Sequence, residues 1–217
     1  MQSPEEATAV VDLGVDHIGV TPAQRGLPGE VSAELAASIC TAVRGTATTV
    51  ALSVDSDINA IAAMVDIVRP DILHLCGPKG DLGPADVTAF RSLRPSLPIM
   101  QAIAVTGPEA IEDALMYATV ADYLLLDSVD PSIEGIGAAG IVHDWSLSAA
   151  IVEAVDIPVI LAGGLGPANV AKAIAQVRPW GVDSLTHTNR PLPSGGFRKD
   201  LDLVAQFVAG AGGGERP

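Results

Sequence analysis

Short apolar runs alternate with amphipathic segments along the whole chain, and no linker, charge block or low-complexity tract interrupts them. The runs His17–Val20, Thr48–Val54, Ile72–Cys76, Pro98–Val105, Asp122–Asp127, Ile157–Ala162 and Gly181–Thr186 are mostly rich in Val, Ile and Leu. Continuous apolar runs of this length predict strands buried on both faces, as in a parallel sheet. The segments between them carry helix-start signals. Ser3-Pro4-Glu5-Glu6 combines an N-cap, an N1 proline and an acidic first turn. Ser32-Ala33-Glu34, Asp57-Ile58-Asn59, Gly83-Pro84, Gly107-Pro108, Asp144-Trp145-Ser146 and Gly166-Pro167 vary the theme, and Arg198–Ala209 forms the last helical segment.

Strict β-α alternation implies parallel strands joined by right-handed crossovers. About eight helices face only about seven strands, because the chain opens on a helix. The pattern therefore predicts a TIM-type (β/α) barrel, one domain over residues 1–217, missing its first strand. An eighth strand would lie upstream of Ser3, a partner chain would fill the gap, or the barrel closes in another way. An open doubly wound sheet is the second choice, and it lacks the GxGxxG turn expected after a first strand.

Composition narrows the function. Hydrophobic residues make up 48% of the chain and aromatics 3%, so the core is aliphatic and disorder is excluded as the default. A net charge of −14 argues against nucleic acid and against anionic membrane surfaces. It leaves a local anion site open. The start of the chain has no secretory pattern and no run is long enough to span a bilayer. The cysteines Cys40 and Cys76 form no CxxC pair, so a reduced cytoplasmic setting is expected.

Few residues are placed for chemistry. Gly163 and Gly164 follow a strand and precede a helix, where backbone N–H groups and the helix N-terminus favour a phosphate; the alternative is a tight βα turn. Asp127 ends the run Tyr123–Leu126 and so faces the top of a barrel, where partial burial would raise its pKa and suit general-acid work; the alternative is a cap on the next loop. Cys40 sits within a helical segment and reads as packing. His17, His74 and His143 make no HxH or HExxH pattern, so no metal is expected. Lys79, Lys172 and Lys199 fall in predicted loops or helices, which weighs against Schiff-base chemistry.

The segment Pro158–Val170, with its Ala162-Gly163-Gly164-Leu165-Gly166-Pro167-Ala168-Asn169 centre, resembles phosphoribosylanthranilate isomerases, a family of phosphate-binding (β/α)8 barrels. Val177–Asp183, Leu124–Asp127, Gly135-Ile136-Gly137, Asp144-Trp145-Ser146 and Leu73–Gly77 follow the same order. The resemblance covers nearly the whole chain and is most specific in its C-terminal half. It implies an Amadori rearrangement of a phosphorylated aminoribose, with no cofactor. It makes Asp127 the acid that protonates the ribose ring oxygen, and it lines the phosphate pocket with Gly135, Gly137, Gly163, Gly164 and Thr186. The family's first-strand cysteine, its general base, has no counterpart here. Its histidine after the fourth strand is replaced by Cys76, its arginine near the anthranilate carboxylate has Arg25 as a loose match, and its eighth-strand loop becomes Leu185–Asn189.

Cys76 and His187 are therefore the substitute bases, with Asp55 behind them. Against these stand an inert buried thiol, a surface imidazole and a helix-capping context beside Asp57. Two further readings keep the barrel: a divergent paralogue acting on another sugar phosphate, or a non-catalytic barrel binding a phosphorylated ligand. The phosphorylated small molecule is the expected partner, with neither nucleic acid nor membrane. Unpaired strand edges make a homodimer an expectation.

Overall fold

The computed structural model describes residues 1–193 and 195–212. Eight helices and a curled parallel sheet of eight strands alternate along it. The helices are α1 (Pro4–Asp12), α2 (Ala33–Ala42), α3 (Ile58–Val68), α4 (Pro84–Leu93), α5 (Glu109–Tyr117), α6 (Trp145–Ala154), α7 (Val170–Val177) and α8 (Leu201–Gly210). The sheet strands are β1 (His17–Pro22), β2 (Glu30–Val31), β3 (Thr48–Ser53), β4 (Ile72–Leu75), β5 (Ile99–Ala104), β6 (Tyr123–Asp127), β7 (Val159–Leu161) and β8 (Gly181–Val182), and β9 (Asn189–Pro191) with β10 (Phe197–Lys199) forms a separate antiparallel hairpin.

All seven expected strands are present. The eighth member of the sheet is β2, two residues paired in parallel with the C-terminal end of β1 through Thr21↔Glu30 and Pro22↔Val31. A two-residue strand has no periodicity to read. The order runs β2-β1-β3-β4-β5-β6-β7-β8, and among the described residues no ladder joins β8 to β1.

Helix starts follow the capping signals. Ser3 accepts from the Glu6 amide, Ser32 from Leu35, and Asp57 from Asn59. Among the boundaries that differ from expectation, two concern the C-terminal part. The last helix begins only after Asp200, whose carboxylate takes the Asp202 and Leu203 amides, because residues 197–199 pair with β9. The eighth strand stops at Val182, and Thr186–Thr188 turns into a short 3-10 helix.

Side-chain parity divides the core in two. Val50, Ile72, Met100, Leu125, Ile160 and Ala162 come from five different strands and meet in one cluster, so these positions face a shared lumen. The alternate residues, among them Ala51, Leu73, Ile99, Leu124, Leu126 and Leu161, pack outward against the helices. Each fully buried Leu or Ile contributes about 1.5–3 kcal/mol.

The N-terminal segment is tied across the β8–β1 seam. The Glu6 carboxylate accepts from the Gln2 amide and from the Lys199 amide, both at 2.6 Å, and the Met1 nitrogen donates to the Gly19 carbonyl at 2.8 Å. At the bottom of the seam the His17 and Trp180 rings lie 5.8 Å apart. Glu6→Ala would strand two part-buried amides, so it is expected to lower unfolding stability by about 2 kcal/mol, read from the urea midpoint.

Candidate active site

The strand ends and their loops enclose a cavity of about 700 Å³ that continues down the lumen to the seam. An ordinary barrel of this type fills that space with layers of side chains. Here the lumen-facing positions beside the seam include Gly19 and Gly181, both of which line the cavity.

Asp127 is the last residue of β6 and is 8% exposed. Burial pushes its carboxyl up to about 7; the Ser128 amide, donating to Oδ1 at 2.7 Å, acts in the opposite direction, and Asp183 adds to the rise. The carboxyl can thus hold a proton at neutral pH. Gly137 lies against it so closely that a Cβ there would come within 2.7 Å of Oδ2.

The long loop from Ser128 to Asp144 folds over the strand ends. The Ile136 amide donates to the Cys76 carbonyl at 2.8 Å and the Gly137 amide to the Ser128 carbonyl at 3.0 Å. Across from it, Gly163 and Gly164 take positive φ values of 79° and 64°. A Cβ on Gly164 would meet the Ile141 carbonyl carbon and the Val142 nitrogen at 2.7 Å, so the two loops touch backbone to backbone. Gly137, Gly163, Gly164 and Thr186 share the cavity wall, but Gly135 does not. Gly135 is needed elsewhere: its Cα packs over Cys76, where a Cβ would stand 2.3 Å from the carbonyl oxygen. The helix behind the twin glycines starts at Val170 rather than at Pro167, because Asn169 accepts from the Gly166 amide and donates to the Gly164 carbonyl. Residues 166–169 form a turn instead.

Cys76 also faces the cavity, with its thiol donating to the Ser53 carbonyl at 3.5 Å. Burial, with Asp127 nearby, pushes that thiol up to about 12, which keeps it protonated. His187 does not end a strand; it is exposed on the 3-10 helix, with Nε2 3.1 Å from the Gly140 carbonyl. Asp55 sits outside the cavity wall, in an ion pair with Arg25 at 2.8 Å. Arg25 also reaches Glu134 at 2.5 Å, and Glu134 lines the mouth of the cavity. Among the described residues no group of His, Cys, Asp and Glu could hold a metal ion, and no helix is long and apolar enough to cross a membrane.

The model of the family described as N-(5'-phosphoribosyl)anthranilate (PRA) isomerase matches residues 1–209 of this chain. The chain belongs to the PRA isomerase family. PRA isomerases of this kind include the N-(5'-phosphoribosyl)anthranilate isomerase of Haloarcula marismortui, 34% identical over 95% of this chain and 91% of the relative. That of Parvibaculum lavamentivorans is 35% identical over 97% and 94%. Among solved structures, a Thermotoga maritima phosphoribosyl anthranilate isomerase superposes with a TM-score of 0.79 at 26% identity, covering 98% of this chain and 96% of the other. These PRA isomerase neighbours make the curled sheet a TIM-type barrel.

Three polar groups at the site escape a reading of the sequence alone. Asp183 lines the cavity opposite Asp127; it is exposed, but to the cavity rather than to open solvent, and crowding by protein pushes its carboxyl up while Lys199 opposes the rise. The signal was available, since Asp183 stands two residues after the lumen-facing Gly181. Lys199 is not in a helix or loop: it ends β10, is 9% exposed, and donates to the Ser184 and Leu185 carbonyls and to Thr188 Oγ1. Burial lowers it to about 8. His74 faces the lumen with Nε2 unpartnered, and burial lowers it to about 4, so it is a neutral imidazole.

Proposed function

We propose that this chain catalyses the Amadori rearrangement of N-(5'-phosphoribosyl)anthranilate, as its curated relatives are named to do. The observation that carries the reading is Asp127. A carboxyl with its pKa near 7 stands at a strand end in the cavity, beside the paired glycine loops. Its proton goes to the ribose ring oxygen as the bond from that oxygen to C1′ breaks, and the anilino nitrogen supplies the electron pair that forms the C1′=N iminium. Loss of the C2′ proton then gives an enolamine, which tautomerises to the 2′-ketone. No cofactor enters this electron flow.

The glycine pair Gly163-Gly164, with Gly137 and Thr186, is the anion pocket of this reading, because backbone without side chains lines the cavity there. Arg25 is the group for the anthranilate carboxylate: a substrate carboxylate would take over the place now held by Glu134 at the mouth.

Neither Cys76, held protonated, nor His187, on the exposed rim, is given the base role. The resemblance puts the base, a cysteine, on a strand in the β8–β1 seam, and below the two-residue β2 the seam side of β1 has backbone to pair with such a strand. The Thr48 amide donates to the Asp16 carbonyl, so alternate carbonyls of β1, Gly19 among them, face the seam. The Met1 nitrogen already occupies a ladder position there. One chain-length domain and a homodimer complete the reading, and a monomeric mass by light scattering would remove the homodimer.

The test is the loss of anthranilate fluorescence when freshly made phosphoribosylanthranilate meets the purified protein. Decay above the spontaneous rate is expected. No decay from a folded protein, judged by circular dichroism, would move the reaction to another sugar phosphate.

A further inference from the structure

A single imidazole joins the strand end that carries Asp127 to the loop over it and to the glycine pair opposite. His143 Nδ1 lies 3.2 Å from Ser128 Oγ, and His143 Nε2 lies 2.7 Å from the hydroxyl of Ser148, a buried residue of α6. The proton order follows from the partners. Ser128 Oγ is in hydrogen-bond contact with the Ile141 carbonyl, which can only accept, so the one hydroxyl proton of Ser128 is committed there. Nδ1 must therefore carry a hydrogen and donate to Ser128 Oγ, which leaves Nε2 to accept from Ser148. Gly163 packs on the same contact, since a Cβ there would lie 2.7 Å from both His143 Nδ1 and Ser128 Oγ. Ser128 in turn holds Asp127 through its amide.

We propose that His143 is a positioning residue for the isomerisation: its Nδ1–H tautomer, set by the Ser128–Ile141 contact, with the ring seated by Ser148, locks Ser128 and thereby sets the Asp127 carboxyl and the seat of the Gly163-Gly164 loop together. The proposal rests on the reading of Asp127 as the acid. His143 itself is half-buried and stays neutral, because burial lowers it to about 4 against the smaller effect of Asp144. The titratable groups facing Asp127 from other elements are Cys76 on the β4 side and Asp183 after β8, and none of the variants below touches either.

Three variants separate the two hydrogen bonds. His143→Leu removes both at similar volume. His143→Asn can place an amide N–H where Nδ1 stands, and His143→Gln can place an amide oxygen near Nε2. The Asp127 carboxyl is followed by 13C NMR titration, which needs no turnover, alongside kcat, KM and thermal unfolding. His143→Leu is expected to move the Asp127 midpoint upward, since the Ser128 amide loosens, and to lower kcat on the order of ten- to a hundred-fold. His143→Asn restores midpoint and kcat; His143→Gln restores neither. Equal behaviour of Asn and Gln, or an unmoved Asp127 midpoint in His143→Leu, overturns the proposal. A wild-type protein without turnover whose midpoint still moves in His143→Leu would sink the acid assignment and leave the positioning intact.

Discussion

Asp127→Asn should cost about 10²–10⁴-fold in kcat, the range that general-acid catalysis supplies, and should leave a protein that is more stable than the parent at pH 8. Both effects come from one buried carboxyl. As an acid it must be protonated, so kcat of the parent falls as pH rises through about 7, and the variant has no such limb. For stability the sign runs with the protons bound. The folded pKa is raised from 3.8 to about 7, so between those values the native state binds more protons than the unfolded chain and stability falls as pH rises. Well above pH 7 the whole penalty is present, on the order of 4 kcal/mol at most. Asn keeps an acceptor for the Ser128 amide and removes the charge. Urea unfolding of both proteins at pH 5 and pH 8 checks this. The difference between them cancels His74 and His143, whose lowered pKa values make stability rise with pH over part of the same interval. A variant that is inactive but no more stable at pH 8 would mean that Asp127 is ionised and acts in another way.

The stability gain and the activity loss belong together. A group kept at an unfavourable ionisation by burial is a cost the fold carries for chemistry. The sequence made Asp127 conspicuous because a charged residue closes the apolar run Tyr123–Leu126, and a strand end in such a barrel opens on the site. The barrel was legible for the same kind of reason: seven runs of β-branched and aliphatic residues, each followed by a helical segment, leave few other topologies. The two-residue β2 and the β9–β10 hairpin were not, since neither has enough residues to show a period. The positions of His143, Ser128 and Lys199 were beyond reach for a different reason. Ser128 and His143 meet each other 15 residues apart, Ser128 also meets Ile141 13 residues on, and Lys199 meets Thr188 11 residues back and Glu6 193 residues back. Local pattern names the loop that carries such a residue and cannot say where its ring points. Cys76 shows the converse. Its place at the end of a run suggested reactivity, whereas the loop folded above it, with Gly135 over its carbonyl, is what buries the thiol.

Gly164→Ala should abolish phosphate binding and lower stability by about 2–3 kcal/mol. Two costs combine. A φ of 64° is left-handed backbone, which costs an alanine about 1 kcal/mol or more. The new methyl would also stand 2.7 Å from the Ile141 carbonyl carbon and the Val142 nitrogen, and backbone cannot swing aside as a side-chain tip can. The loop over Asp127 must therefore lift away from the glycine pair, opening the pocket to water. Gly45→Ala serves as the control: its φ of 81° imposes the same backbone strain, but nothing lies within 4 Å of the added methyl. It should lose about 1 kcal/mol and bind phosphate as before. The readout is the rise in Tm with added inorganic phosphate, which a ligand bound to the native state produces by mass action. In the parent and in Gly45→Ala the rise should appear, and in Gly164→Ala it should vanish while KM for the phosphorylated substrate climbs at least tenfold. If Gly164→Ala kept its phosphate response, the anion would have to sit elsewhere in the cavity. Lys199 would then be the buried cation to examine, because its ammonium lines the same wall and needs only to exchange the Thr188 hydroxyl for a phosphate oxygen.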